Sequence, residues 1–217
     1  MICTIEKLSC KYKKQKERLL ELQELGYQQS KEFKDEYPWT LNYKLYPHFI
    51  HYVAVANNVI CGWAYVETNR YHGYKTVEVK SISTRQTPVG EQRIGRLLHT
   101  TMLDTVKKGY YDLLFLHAGS VDAYTTYKKW GYRPVFTEDE IKEIVKNSPH
   151  VKPHPMYTWY NNLKKNLENV LYYPTKENLV LNKKFKEMCK NDMIMLVEDG
   201  QYGEGRKKSR KTLKNKH

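Results

Sequence analysis

The sequence predicts an α/β (α+β) fold in which short strands alternate with amphipathic helices, followed by a helical C-terminal extension. Three observations lead there. The run Val77-Glu78-Val79-Lys80-Ser81-Ile82-Ser83-Thr84 is rich in β-branched residues and leads through a glycine-punctuated turn into a helix. Leu113-Leu114-Phe115-Leu116 is a short continuous apolar run, the pattern of a central strand covered on both faces. Two further strand-like runs flank Asn57-Asn58, a pair that tolerates the positive φ of a tight hairpin turn.

Taken in order, residues 2–5 predict a first strand. Residues 11–25 predict a helix with Leu19, Leu22 and Leu25 on one side, ended by Gly26 as a C-cap. Residues 28–48 are polar and aromatic, interrupted by Pro38 and Pro47. The hairpin occupies 51–66, and a loop with Gly73 leads to the strand at Val77. Ile94, Leu97, Leu98, Thr101, Met102 and Val106 then follow helical spacing up to Gly109. After the apolar strand, Ser120 is positioned to cap a helix that ends before Gly131. A short helix over 138–146 and a final strand over 156–160 follow, with helical stretches near 163–170 and 176–190. The expected division is a domain over 1–163, a helical extension over 164–205 and a basic, disordered tail over 206–217.

The chain has 217 residues and a net charge of +13. Its last twelve residues carry seven Lys/Arg and no acid, which leaves a modest +6 on the rest. Such a run cannot pack a core, and it points to nuclear targeting, loose polyanion contact or plain solubility. The four cysteines, Cys3, Cys10, Cys61 and Cys189, form no C-x-x-C pair and no zinc spacing. No stretch is long and apolar enough to span a membrane. These features predict an intracellular protein, cytoplasmic, nuclear or of a viral replication compartment, with reduced thiols, no metal and no membrane partner.

The turn Pro88-Val89-Gly90-Glu91-Gln92-Arg93-Ile94-Gly95-Arg96 opens directly into Leu97-Leu98. A helix N-terminus presents unpaired N–H groups and the positive end of the helix dipole, which suits a phosphate-bearing ligand. Downstream, Ser120-Val121-Asp122-Ala123-Tyr124-Thr125-Thr126-Tyr127-Lys128-Lys129-Trp130-Gly131-Tyr132 places alanine, tyrosine, lysine, glycine and a final aromatic at fixed intervals.

On these two motifs and the element order, residues 1–163 resemble the GNAT superfamily of acetyl-coenzyme A-dependent N-acetyltransferases. In that family a Q/R-x-x-G-x-G/A loop binds the coenzyme A pyrophosphate, and a short helix reads N-x-x-A-x-x-F-Y-x-K-x-G-F. Gly95 matches the last loop position, whereas Gly90 stands in place of the initial Gln/Arg and Arg93 in place of the first glycine. The helix motif falls in register from Ala123 to Tyr132.

The resemblance implies a mixed, mostly antiparallel twisted sheet flanked by helices. It also implies acetyl transfer from acetyl-CoA directly to a primary amine (a small amine, a peptide N-terminus or a lysine) in a ternary complex. Acetyl-CoA is then a donor substrate. Tyr127 matches the family tyrosine that protonates the leaving thiolate; its alternative is a packing aromatic. Glu78 lies where several members place a general base; its alternative is a salt-bridged carboxylate. Ile82, Ser83 and Thr84 would hold the thioester and pantetheine through backbone groups. Gly90, Glu91, Gln92, Arg93, Ile94, Gly95 and Arg96 would cradle the pyrophosphate, with Ser120 nearby, itself also read as a helix cap. Trp39, Tyr43 and Tyr46 are candidates for an acceptor wall or for core. His48 with His51, and His150 with His154, have ligand-like spacing beside prolines or in a strand. A catalytically degenerate GNAT-fold module whose basic tail contacts nucleic acid stands as the rival reading.

Overall fold

The computed structural model describes residues 3–34, 45–71, 73–85, 93–148, 157–176 and 179–198. The chain forms two compact units, residues 1–133 with 171–180, and residues 134–170 with 181–217.

The first unit is built on a twisted sheet. Its strands are β1 (Thr4–Ser9), β2 (Phe49–Ala56), β3 (Val59–Tyr71), β4 (Tyr74–Thr84), β5 (Leu113–His117) and β7 (Val170–Pro174). The two-residue β6 (Arg133–Pro134), at which the chain passes between units, completes the order β1-β2-β3-β4-β5-β7-β6. The β1, β2, β3 and β4 pairs are antiparallel and the β4–β5 pair is parallel, so the sheet is mixed and mostly antiparallel. Its helices are α1 (Lys13–Phe33), α2 (Ile94–Lys108) and α3 (Val121–Lys129). The order expected from strand 1 through the helix after β5 is present.

One face of the sheet packs on α1, where Leu19 and Leu22 bury against Val53, Ile60 and Trp63. The other packs on α2, where Ile94, Leu98, Met102 and Val106 meet Ala64, Val66, Val77, Val79, Leu114 and Leu116. The two faces follow the period-2 alternation of the strands. The hairpin turn is as read from the sequence, with Asn57 and Asn58 at φ 49 and 61.

Helix α1 does not stop at Gly26. It runs on to Phe33 and ends at Lys34 in the left-handed region. The extra turns bring Gln29 to the hairpin, where its Nε2 donates to the Asn58 carbonyl at 2.7 Å and its Oε1 accepts from the Ile60 amide at 3.0 Å. Satisfying two turn groups outweighs an internal glycine, which costs about 1 kcal/mol against alanine.

Helix α2 closes at its carboxyl end with two backbone bonds, Tyr111 N–H to the Val106 carbonyl and Tyr110 N–H to that of Lys107, both 3.1 Å. This is a Schellman arrangement, and Tyr110 holds the left-handed position at φ 53. Gly109, where the sequence predicts the helix end, is needed for another reason. A Cβ there would lie 2.4 Å from the Tyr111 ring.

The second unit contains α4 (Glu138–Asn147), α5 (Tyr157–Glu168) and α6 (Lys183–Glu198). Thr137 and Glu140 form a capping box at the start of α4. Asn182 caps α6 by accepting from the Phe185 amide at 2.9 Å. Helix α5 packs against both others, with Leu163 and Leu167 buried one turn apart.

Three readings of this region are corrected. The strand expected over 156–160 is the start of α5 in its described residues, and the helical stretch near 163–170 ends at Glu168. Val170–Pro174, at the start of the expected helical extension, is strand β7. The helix expected over 176–190 begins at Lys183 and continues to Glu198. Residues 206–217 lie outside the described residues.

Candidate functional site

The parallel pairing of β4 with β5 runs only from Thr76–Leu113 to Val79–Leu116, whereas β4 stays paired with β3 as far as Thr84–Gly62. The change occurs at a bulge. Tyr65 pairs with Ser81 and Val66 with Val79, which leaves Lys80 as the extra residue. A bulge bends and twists its strand, so β4 diverges from β5 at this point. It also shifts the side-chain phase. Val77 and Val79 face α2, and beyond the bulge Ile82 does so again, three residues after Val79.

The strand therefore leaves Ile82, Ser83 and Thr84 beyond its ladder to β5. Thr84 points at the start of α2. A Cβ built on Gly95 would lie 3.7 Å from Thr84 Cγ2 and 3.7 Å from the Trp130 ring, ordinary contact distances with no clash. Helix α2 comes this close because β3 carries Gly62, where any Cβ would meet Ile94 Cγ2 at 2.7 Å and the Ser83 carbonyl at 3.2 Å.

Arg93 is the N-cap of α2 and provides no side-chain cap, and its carbonyl accepts from Leu97 N–H at 3.0 Å. The amides of Ile94, Gly95 and Arg96 have no acceptor within the helix. Arg93 and Arg96 are exposed beside them. Two guanidinium groups and a helix amino end together favour a phosphate group. Gly90, Glu91 and Gln92 lie outside the described residues.

Helix α3 starts with Ser120, whose Oγ accepts from the Ala123 amide at 3.1 Å, so the structure gives this residue the capping role. Tyr127 lies on the α2 side of the sheet among aromatic rings, 5.5 Å from those of both Trp130 and Tyr132. Burial pushes its phenol above the ordinary value. Behind it, His99 of α2 stacks on Trp130 and its Nε2 lies 3.1 Å from the Tyr132 hydroxyl. Burial first, and Arg96 second, lower His99 to about 4, so the ring is neutral.

Glu78 lies on the opposite face, in antiphase to Val77 and Val79. It pairs directly across the ladder with Glu67. Lys80 Nζ bridges the two, donating to Glu78 Oε2 at 2.7 Å and lying 2.9 Å from Glu67 Oε2. Burial disfavours the Lys80 charge, yet the attraction of and bonds to Glu78 and Glu67 outweigh it and raise its pKa. His48 Nε2 approaches Glu67 Oε1 at 3.3 Å, and Tyr46 stacks on His48 at 5.4 Å. Sequence reading missed Lys80 and Glu67. Glu67 becomes visible only through the register of β3 on β4.

The structure thus does not bring Tyr127 and Glu78 onto one face. Trp39, Tyr43, His150 and His154 lie outside the described residues. His48 and His51 have separate partners: His51 is buried and its Nδ1 accepts from Trp63 Nε1 at 3.2 Å. Among the described residues no group of three or more His, Cys, Asp or Glu is placed to hold a metal, and no helix is long and apolar enough to cross a membrane. A hollow of 500 Å³ in the second unit is lined by glutamates and lysines of α4 and α6, of which Glu140 pairs with Lys186 and Glu187 with Lys190.

No protein-family model and no curated protein matches the sequence. Solved structures match it at low identity. The ribosomal-protein-S18-alanine N-acetyltransferase from Escherichia coli matches at a TM-score of 0.48 and 13% identity, over 83% of this chain and 100% of that one. AtaTR bound with AcCoA matches at 0.48 and 15%, over 90% and 98%. An aminoglycoside acetyltransferase from an uncultured soil metagenomic sample matches at 0.47 and 16%, over 61% and 93%. At these values the likeness is one of outline.

Proposed function

We propose that this chain is an N-acetyltransferase that moves acetyl from acetyl-CoA directly to a primary amine. The observation that carries the reading is the divergence of β4 from β5 at the Lys80 bulge, next to the uncapped amino end of α2. The pyrophosphate would lie on the amides of Ile94, Gly95 and Arg96, and the pantetheine along Ile82 to Thr84.

The two carboxylate- and phenol-bearing faces fit the two halves of the reaction. A thioester held in the opening presents one side to Glu78 and the other to Tyr127. The amine nitrogen attacks the thioester carbonyl and gives a proton to the Glu78 carboxylate, directly or through water. As the C–S bond breaks, the Tyr127 hydroxyl protonates the departing sulfur. An amine approaching Glu78 first has to compete with Lys80 for it.

Titration calorimetry with acetyl-CoA, followed by detection of free thiol across a panel of small amines, peptide N-termini and lysine peptides, tests the proposal. Saturable binding and amine-dependent thiol release are expected. Absence of binding at millimolar acetyl-CoA overturns it and favours a binding module on the same fold, a reading that Arg93 in place of the loop glycine would then explain.

A further inference from the structure

The end of the first unit remote from the α2 amino terminus carries a groove of 450 Å³ lined by Thr68, Asn69, Arg70, Lys75, Gly109 and Tyr111. Arg70 of β3 and Lys75 of β4 face each other directly in the ladder. Like charges in that position repel, and neither forms a salt bridge among the described residues. Lys107 and Lys108, both exposed, end the helix that borders the groove. Among the described residues, the nearest acids along these elements are Asp104, one turn back on α2, and Asp112. The Asp112 carboxylate is buried, bonded to Lys176 and to the Lys75 amide at 2.7 Å.

Between the two lining residues Gly109 and Tyr111 stands Tyr110. It is 81% exposed and occupies the left-handed backbone position that glycine fills most easily. A large aromatic is therefore held out into solvent, at a conformational cost, beside four cations that form no salt bridge among the described residues. A groove of cations that tracks a phosphodiester backbone, with an aromatic platform at its edge, is the arrangement that holds single-stranded nucleic acid.

We infer that the Arg70–Lys75 groove with Tyr110 is a binding site for single-stranded nucleic acid, separate from the basic tail. The phosphates lie between Arg70, Lys75, Lys107 and Lys108, and a base stacks on the Tyr110 ring. This inference does not depend on the acetyltransferase reading.

The test uses the full chain and a fluorescein-labelled oligo(dT) of about 12 nucleotides, read by anisotropy. Every protein compared keeps residues 206–217, so differences report on the groove. Tyr110→Gly relieves the backbone and raises the unfolding midpoint, yet it is expected to weaken oligo(dT) binding about tenfold at fixed salt. Arg70→Gln with Lys75→Gln is expected to flatten the log–log salt slope by about 0.7 for each phosphate that is no longer neutralised, measured from about 50 to 200 mM. Wild-type affinity and slope in all these variants overturn the inference and leave binding to the tail. Equal competition by polyglutamate, with Tyr110→Gly neutral, also overturns it and assigns the groove to an acidic protein.

Discussion

At its amino end α2 starts from Arg93 with no side-chain cap, pressed against Gly62 of β3 and carrying Gly95 in its first turn. At its carboxyl end the last carbonyls are tied off by the backbone of Tyr110 and Tyr111, and the neighbouring chemistry comes from side chains. The same helix thus offers backbone donors with no acceptor among the described residues at one end, and cations with an aromatic ring at the other. Glycine has a different task at each. At the amino end it lets backbone approach backbone, and at the carboxyl end Gly109 clears space for a ring while a tyrosine takes the strained position.

The largest expected effect concerns chemistry at the amino end. Tyr127→Phe keeps the ring among Trp130 and Tyr132 and removes the proton, so thiol release should fall about 10²- to 10⁴-fold with folding unchanged. Unaltered turnover would make Tyr127 a packing residue and leave the amino end without its acid.

Between the two ends lies His99, neutral and buried, with its pKa depressed to about 4, as is that of His51. An unfolded chain protonates both near their ordinary value of 6.5. Their contribution to stability is therefore present above that pH and is lost as pH falls from 6.5 towards about 4. Each depressed pKa corresponds to at most about 3 kcal/mol. Urea unfolding across this window should show the decline, and His99→Gln should remove its own share of the slope. An unchanged slope would place the burial of His99 in doubt.

Two glycine substitutions sharpen the contrast further. Gly62→Ala forces a Cβ into Ile94 and the Ser83 carbonyl and should cost about 1–3 kcal/mol in denaturant unfolding. Gly95→Ala meets only ordinary contacts, so stability should hold or rise by up to about 1 kcal/mol. Calorimetric affinity for acetyl-CoA should nonetheless weaken about tenfold, or about 1.4 kcal/mol, because the methyl fills the space before the amides. Loss of stability without loss of affinity would detach that end from the cofactor. The smallest effect is at the other end, where Tyr110→Gly should stabilise by about 0.5–1 kcal/mol.

Legibility followed the range of the interactions that decide each element. Local chemistry was enough for the Asn57–Asn58 turn, the Ser120 cap and the helical stripe of Ile94, Leu98, Met102 and Val106. It was not enough at Gly26, where Gln29 reaching a turn more than twenty residues away extends the helix. Tyr157, Thr158, Trp159 and Tyr160 have strand propensity, but they open a helix whose Leu163 and Leu167 pack in its own unit. Val170–Pro174 falls in the expected helical extension, just past its first helical stretch, and its strand character rests on its place beside β5. Glu78 was visible as a lone carboxylate, whereas the Glu67–Lys80 framework around it exists only through strand register and one bulge.

That bulge divides β4 into two half-strands with separate addresses. Upstream of Lys80, odd-numbered residues look toward α2; downstream, even-numbered residues do. Deleting Lys80 would therefore do what no replacement of it can. It would join Val79 directly to Ser81, leave Ile82 and Thr84 on the α2 face, and remove the bend that parts β4 from β5. A single missing codon would straighten the strand and close the opening, while every residue lining it kept its identity and its face.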